Sequence, residues 1–482
     1  MIYFYPAIIQ KSIECYSKFY EISYFYNSIY FNSFLDAMKE VNSQNIIKER
    51  QSSNENNNNI LKTWFAKMDK EFDEKLRSYN FINVLDKYVY SSLDLFNNIY
   101  SNGYINPQLV YHDFFDFYLK YVYSPLISYS KELNLANHEI VFQKDNIKLL
   151  HYINNNTNNQ QTKGSENNNN NILLIIYAPI NRFHILDLNP SKSVVGTLLN
   201  NGIDVYLLDW GYPDKRDNDL TLKDYIDYID DAVDAIIQDR SLTSSSSSLI
   251  KISILGYCWG GLNSLIYTAV ANNQKNIDKL ILMATPIDFS KDNTTVSLWS
   301  KSIDTDKIIK TFGHFDGYLL DFVFNMRNPA NFAKYFTLWK NLDNKDFINT
   351  FFDVEKWLHD TPPIPGELYK KIVNDCYKNN LLITGNMKLE EEDDEKLLEQ
   401  EDDNNDNNKI NINKITIPVL SIIAEKDDLV SPMSSIAIDE YISSKEKKVF
   451  KHPGGHVSLC ISDTAHKELW PKVSNWIKSK IS

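Results

Sequence analysis

The run Gly256-Tyr257-Cys258-Trp259-Gly260-Gly261 sets a cysteine among glycines, between an apolar segment, Ile252 to Leu255, and a helical stretch, Leu262 to Asn272. A thiol in that position suits nucleophilic chemistry. A sharp strand-to-helix turn holds a nucleophile in a strained backbone conformation, and neighbours without side chains let the turn pack. The N-terminus of the helix that follows stabilises negative charge beside it. The bland alternative is a buried structural cysteine at a tight turn. In the reactive case the backbone N–H of Trp259, the residue after the nucleophile, is the expected first oxyanion donor. The second is expected from the loop after the strand ending near Ala178, around Ile180 and Asn181.

A thiol nucleophile also needs a base and an acid, and in hydrolases built on such an elbow the chain order is nucleophile, acid, histidine. After a late apolar run, Val419 to Ala424, comes Glu425-Lys426-Asp427-Asp428, and His452-Pro453-Gly454-Gly455-His456 follows before the last helical stretch. Adjacent side chains of an extended segment point in opposite directions, so only one of Asp427 and Asp428 can face the histidine. His452 and His456 have the spacing of a zinc pair on a helix. Pro453-Gly454-Gly455 between them is incompatible with a helix, so no metal is expected.

These groups need a frame. The segments Ile140 to Gln143 and Ile147 to Tyr152 read as a β-hairpin. Further strands are expected at Ile172 to Ala178, Ile203 to Asp209, Ile252 to Leu255, Leu280 to Ala284 and Val419 to Ala424. Between two of them Leu222, Ile226, Ile229, Val233 and Ile237 mark one face of a helix. Buried strands alternating with amphipathic helices predict an α/β fold with a mainly parallel sheet covered on both sides. Residues from about 289 to 380 interrupt the alternation with aromatic-rich helical sequence, as a cap insertion would. Polar tracts at about 154–171 and 390–408 read as disordered insertions. Residues 1–135 read as an extra N-terminal helical region dense in aromatics, such as Tyr16, Phe19, Tyr20, Tyr24, Phe25 and Tyr26. The remaining residues, 136–482, form the expected catalytic domain.

The 482 residues carry 50 Lys and Arg against 63 Asp and Glu, a net charge of −13 that disfavours nucleic acid as a partner. Four cysteines, Cys15, Cys258, Cys376 and Cys460, make no disulfide framework and point to a reducing, cytoplasmic setting. No apolar run is long enough for a transmembrane segment.

Several motifs then resemble one family. Ala178-Pro179-Ile180-Asn181-Arg182, Ile185-Leu186-Asp187-Leu188, Asp204 to Pro213 and the Cys258 elbow look like the polyhydroxyalkanoate (poly-3-hydroxybutyrate) synthases. So do Ala424-Glu425-Lys426-Asp427, Pro453-Gly454-Gly455-His456 and the segment from Glu355-Lys356-Trp357-Leu358 to Asn380. The resemblance is strongest to the class III catalytic subunit. It runs over roughly residues 138–482 apart from the Asn-rich insertions. It implies the α/β-hydrolase fold, with Cys258 as nucleophile, His456 as general base and Asp427 as acid. The implied reaction polymerises (R)-3-hydroxyacyl-CoA into polyester through a covalent acyl-cysteine, with release of CoA. No cofactor is implied, because the CoA thioester is substrate and CoA is product. The implied partners are the polyester granule surface and either a second copy of the chain or an accessory synthase subunit. The family commonly has His where this chain has Asp428, and Gly where it has Ser458. Two other readings use the same residues or none of them: a thioesterase or polyester depolymerase, and a non-catalytic granule-associated protein.

Overall fold

The computed structural model describes residues 136–153, 171–243, 249–271, 274–317, 343–358, 360–390 and 408–480, with the isolated positions 320, 324, 337 and 341. The helical region expected over 1–135, Cys15 within it, and nearly all of the two polar insertions lie outside the described residues.

Eight strands form the central sheet. They are β1 (His138–Lys144), β2 (Ile147–Tyr152), β3 (Ile172–Ile176) and β4 (Asp204–Asp209), then β5 (Ile252–Tyr257), β6 (Ile277–Met283), β7 (Val419–Ala424) and β8 (Lys447–His452). Their order in space is β1-β2-β4-β3-β5-β6-β7-β8. The hairpin β1–β2 is antiparallel and turns at Asp145, whose φ of 52° is left-handed. Strand β2 also runs antiparallel to β4, whereas every pairing from β4 through β8 is parallel. The central strands β3, β5 and β7 are buried along their whole length, which is why they read as unbroken apolar runs. Edge strand β8 carries Lys447, Lys448 and Lys451, charges that discourage further strand pairing.

Connectivity places the functional crevice. From β3 the chain moves outward to β4, then returns past β3 to β5. The winding direction reverses between β3 and β5, and ligands of open α/β sheets bind at the carboxyl ends of strands where this happens. Helix α1 (Leu222–Thr243) joins β4 to β5 and buries Leu222, Ile226, Ile229 and Val233 on the face the periodicity marks. Helix α2 (Trp259–Val270) starts at once after Cys258 and is buried on all sides from Trp259 to Ala269, as its apolar composition requires. Between β6 and β7 lie α3 (Thr295–Ser302), α4 (Thr305–Phe312), α5 (Lys345–Leu358) and a helix over Gly366–Lys371 that runs into a π-turn at Ile372–Lys378. At Glu390 and Asn408 the flanks of the acidic tract are clipped together by two hydrogen bonds of 3.0 and 2.8 Å. Among the described residues no helix is long and apolar enough to cross a membrane.

Candidate active site

Cys258 stands between β5 and α2 with φ 56° and ψ −124°. Left-handed backbone is costly for a residue with a Cβ, so the surroundings must hold it. They do so by exclusion. A Cβ on Gly260 would collide with the carbonyl oxygen of Ile176, and one on Gly261 with the Thr285 hydroxyl. Only glycine lets α2 approach β3 and β6 this closely, and the turn cannot relax without moving the sheet. The Cys258 N–H donates to the Met283 carbonyl at 2.9 Å. Trp259 opens α2, so its N–H has no acceptor within the helix. Its indole N–H donates to the Tyr377 hydroxyl at 3.0 Å.

The loops after β7 and β8 bring the acid and the histidine together. His456 Nδ1 lies 2.7 Å from Asp427 Oδ2, and both side chains are buried. The other oxygen of Asp427 accepts the N–H groups of Leu429 and Val430 at 2.9 and 3.0 Å, so the carboxylate is fixed in direction. Asp428 is exposed. With Nδ1 committed to Asp427, Nε2 is the nitrogen left for the thiol. Burial pulls the His456 pKa down, yet the charges of Asp427 and Cys258 and the hydrogen bond to Asp427 outweigh it and raise the pKa to about 10. His452 does not join this group. It ends β8 and pairs through Nε2 with the Ser462 hydroxyl at 3.1 Å. Ser458 Oγ donates to the Gly455 carbonyl at 2.5 Å and closes the turn that carries His456.

Ile180 and Asn181 lie on the loop after β3, where Ile180 is half-buried and Asn181 is left-handed with φ 57°. Of the three described cysteines Cys258 alone is not fully buried. Burial pushes the Cys460 thiol up to about 12 and the Cys376 thiol higher still, so neither is disposed to ionise. Among the described residues no group of three or more His, Cys, Asp or Glu could hold a metal ion.

Two aromatic residues complete the site without having been singled out as functional. Tyr257 stacks on the His456 ring at 4.9 Å and donates its hydroxyl to the His456 carbonyl at 3.1 Å. Tyr377 backs Trp259 and packs against Phe289. Burial raises both phenols well above their ordinary pKa, so they remain O–H donors. Tyr257 lies inside the elbow motif and Tyr377 inside the segment ending at Asn380, so the residues were in view. Their pairings with His456 and Trp259, far away in the chain, were not.

The family model described as alpha/beta hydrolase fold matches residues 185–460. A protein named poly(3-hydroxyalkanoate) polymerase subunit PhaC from Allochromatium vinosum is 33% identical over 64% of this chain and 80% of its own length. A protein of the same name from Haloferax mediterranei is 33% identical over 71% of this chain and 64% of its own. A third, from a Synechocystis strain, is 31% identical over 64% of this chain and 77% of its own length.

Proposed function

The chain belongs to the poly(3-hydroxyalkanoate) polymerases of the α/β-hydrolase fold, and from that premise we propose that it joins (R)-3-hydroxyacyl groups from CoA thioesters into polyester. The observation that carries the reading is the buried His456–Asp427 pair together with Cys258 at the strained strand-to-helix elbow.

The cysteine sulfur attacks the thioester carbonyl, and the tetrahedral oxyanion is held by the backbone N–H groups of Trp259 and Ile180. The intermediate collapses with loss of CoA, and the thiol proton, carried by His456, goes to the departing sulfur. One thioester has replaced another, with little change in free energy, so the acyl group on Cys258 stays activated. His456 Nε2 then takes the proton of an incoming 3-hydroxyl, that oxygen attacks the acyl-cysteine, and an ester forms as the Cys258 sulfur leaves. Asp427 keeps the ring in the required tautomer and stabilises its protonated form. General-base help of this kind contributes ~10²–10⁴-fold. A serine nucleophile would store the acyl group as a more inert oxoester. The growing polymer places the enzyme at a granule surface.

Incubation with 3-hydroxybutyryl-CoA tests this, following CoA release and the nature of the product. Polymer with stoichiometric CoA is expected, together with a labelled acyl group on Cys258 that is absent from Cys258→Ala. Free hydroxy acid as the sole product would make the enzyme a thioesterase, and label on another cysteine would overturn the assignment of the nucleophile.

A further inference from the structure

We propose that Asn181, Trp357 and Thr361 are positioning residues that lock the oxyanion loop, so that the cap segment sets the geometry of the oxyanion hole. The inference deepens the proposed function and rests on Ile180 supplying the second donor.

The loop between β3 and Phe183 is tied to the sheet at its two ends. At the near end the Trp210 indole donates to the Tyr177 carbonyl at 2.6 Å. At the far end Arg182 donates to both oxygens of Asp209 at 3.0 Å, and Asp209 in turn accepts the Gly211 N–H at 3.0 Å. Ile180 lies between these anchors, beside a left-handed asparagine. Asn181 has φ 57°, a left-handed conformation uncommon outside glycine and most accessible to asparagine and aspartate. What holds it comes from the segment after β6. Asn181 Nδ2 donates to the Thr361 hydroxyl at 2.7 Å and to the Leu358 carbonyl at 3.2 Å. The buried Trp357 indole, near the end of α5, donates to the Arg182 carbonyl at 2.6 Å.

These bonds hold the Asn181 side chain and the Arg182 carbonyl, one and two residues after Ile180, and they do so from residues 175 to 180 positions along the chain. A shallow pocket beside the loop is lined in part by Tyr177, Asn181, Arg182, Asp209, Trp210 and Pro362. An oxyanion donor works only within roughly 2.7–3.1 Å of the developing charge, and losing one costs ~10²–10³-fold in kcat. Loosening the loop should therefore lower kcat and leave binding alone.

The test uses the full chain with Trp357→Phe, which removes the indole N–H, and with Thr361→Val, which keeps the shape and removes the hydroxyl that accepts from Asn181 and donates to the Leu358 carbonyl. A third variant, Thr361→Ser, restores the hydroxyl. Three rates are compared: CoA release from 3-hydroxybutyryl-CoA, acylation of Cys258 by p-nitrophenyl acetate, and alkylation of Cys258 by iodoacetamide. Alkylation is displacement at a saturated carbon and forms no oxyanion. For Trp357→Phe and Thr361→Val, kcat for CoA release and the acylation rate should fall roughly 10–100-fold, with KM and alkylation within about twofold of wild type. Thr361→Ser should recover most of the loss. Unchanged acylation, alkylation falling in step with acylation, or no recovery in Thr361→Ser would each overturn the proposal. Wild-type chain that acylates from the nitrophenyl ester yet releases no CoA would count against the reaction proposed above and leave the strap to be judged on acylation.

Discussion

Asp427 turns inward onto His456, while Asp428, one residue on, is exposed. The split follows from the two N–H groups of Leu429 and Val430, which capture one oxygen of Asp427 and aim the other at the ring. Asp427→Asn should therefore cost on the order of 10²–10⁴-fold in turnover, because an amide can present its N–H to Nδ1 and favour the wrong tautomer. Asp428→Asn should change CoA release by less than about threefold. A dead Asp428→Asn beside an active Asp427→Asn, measured by CoA release and polymer length, would refute the assignment. His456 yields a second expectation, since Cys258 is among the groups that raise its pKa to about 10. Acylation of the sulfur removes that charge, so the ring's pKa falls just when it has to accept the proton of the incoming hydroxyl. In Cys258→Ala the imidazole should titrate at lower pH than in wild type, as NMR of the ring protons would report; an equal or higher midpoint would contradict the coupling. The stability consequence has a definite sign. A histidine whose folded pKa exceeds its unfolded value of about 6.5 contributes stability that is complete below that pH. This contribution is lost as the pH rises toward about 10. The difference in urea midpoint between wild type and His456→Gln should accordingly shrink from pH 6 to pH 10.

Between β5 and α2 the sequence dictates the structure through absent side chains. Gly260 sits where a Cβ would meet the Ile176 carbonyl, and nothing there is a flexible side-chain end that could step aside. Gly260→Ala should cost at least the ~1–3 kcal/mol typical of overpacking and lower the melting temperature, with CoA release falling as the elbow deforms. Wild-type melting and activity in that variant would show that the turn is softer than its packing implies. The elbow is local, with strand, turn and helix contiguous in the chain, and this is why Cys258 and the start of α2 were legible from residue order. Where burial is complete, as in β3 and β7, composition alone marked the strands. Strand β8 went unnamed because five of its six residues are exposed or half-buried and three of them are lysines. The bonds Tyr257–His456 and Trp357–Arg182 span 199 and 175 residues, and no local pattern encodes such a pairing. Asp427 lay between these cases: its strand was visible, but its orientation depends on two backbone N–H groups that only the folded loop presents.

All the groups assigned to the reaction lie in one compact unit, Tyr129–Phe324 with Asp343–Ser482. Its first described residue is already fastened, since the Ala136 N–H donates to the buried Asp187 carboxylate at 2.6 Å and β1 follows from His138. A cut before Tyr129 therefore removes no part of the sheet, the elbow or the acid–histidine pair. A polymerase has a demand that a simple acyltransferase lacks: its apolar product must stay close enough to be extended again. Residues 1–128 are rich in tyrosine and phenylalanine, with Tyr16, Phe19, Tyr20, Tyr24, Phe25 and Tyr26 close together in the sequence. Aromatic side chains offer large apolar area with a polar edge, suited to a polyester, to a second copy or to an accessory subunit. Deleting residues 1–128 should thus spare the single-turnover step and impair the repeated one. The truncated chain should fold, acylate Cys258 with one equivalent of 3-hydroxybutyryl-CoA at close to the wild-type rate, and make polymer slowly or after a lag. Light scattering for polymer, a quench assay for acylation and sedimentation for oligomeric state separate the two steps. Polymer formed at the full rate without a lag, by a truncate of unchanged oligomeric state, would mean that this region takes no part in elongation.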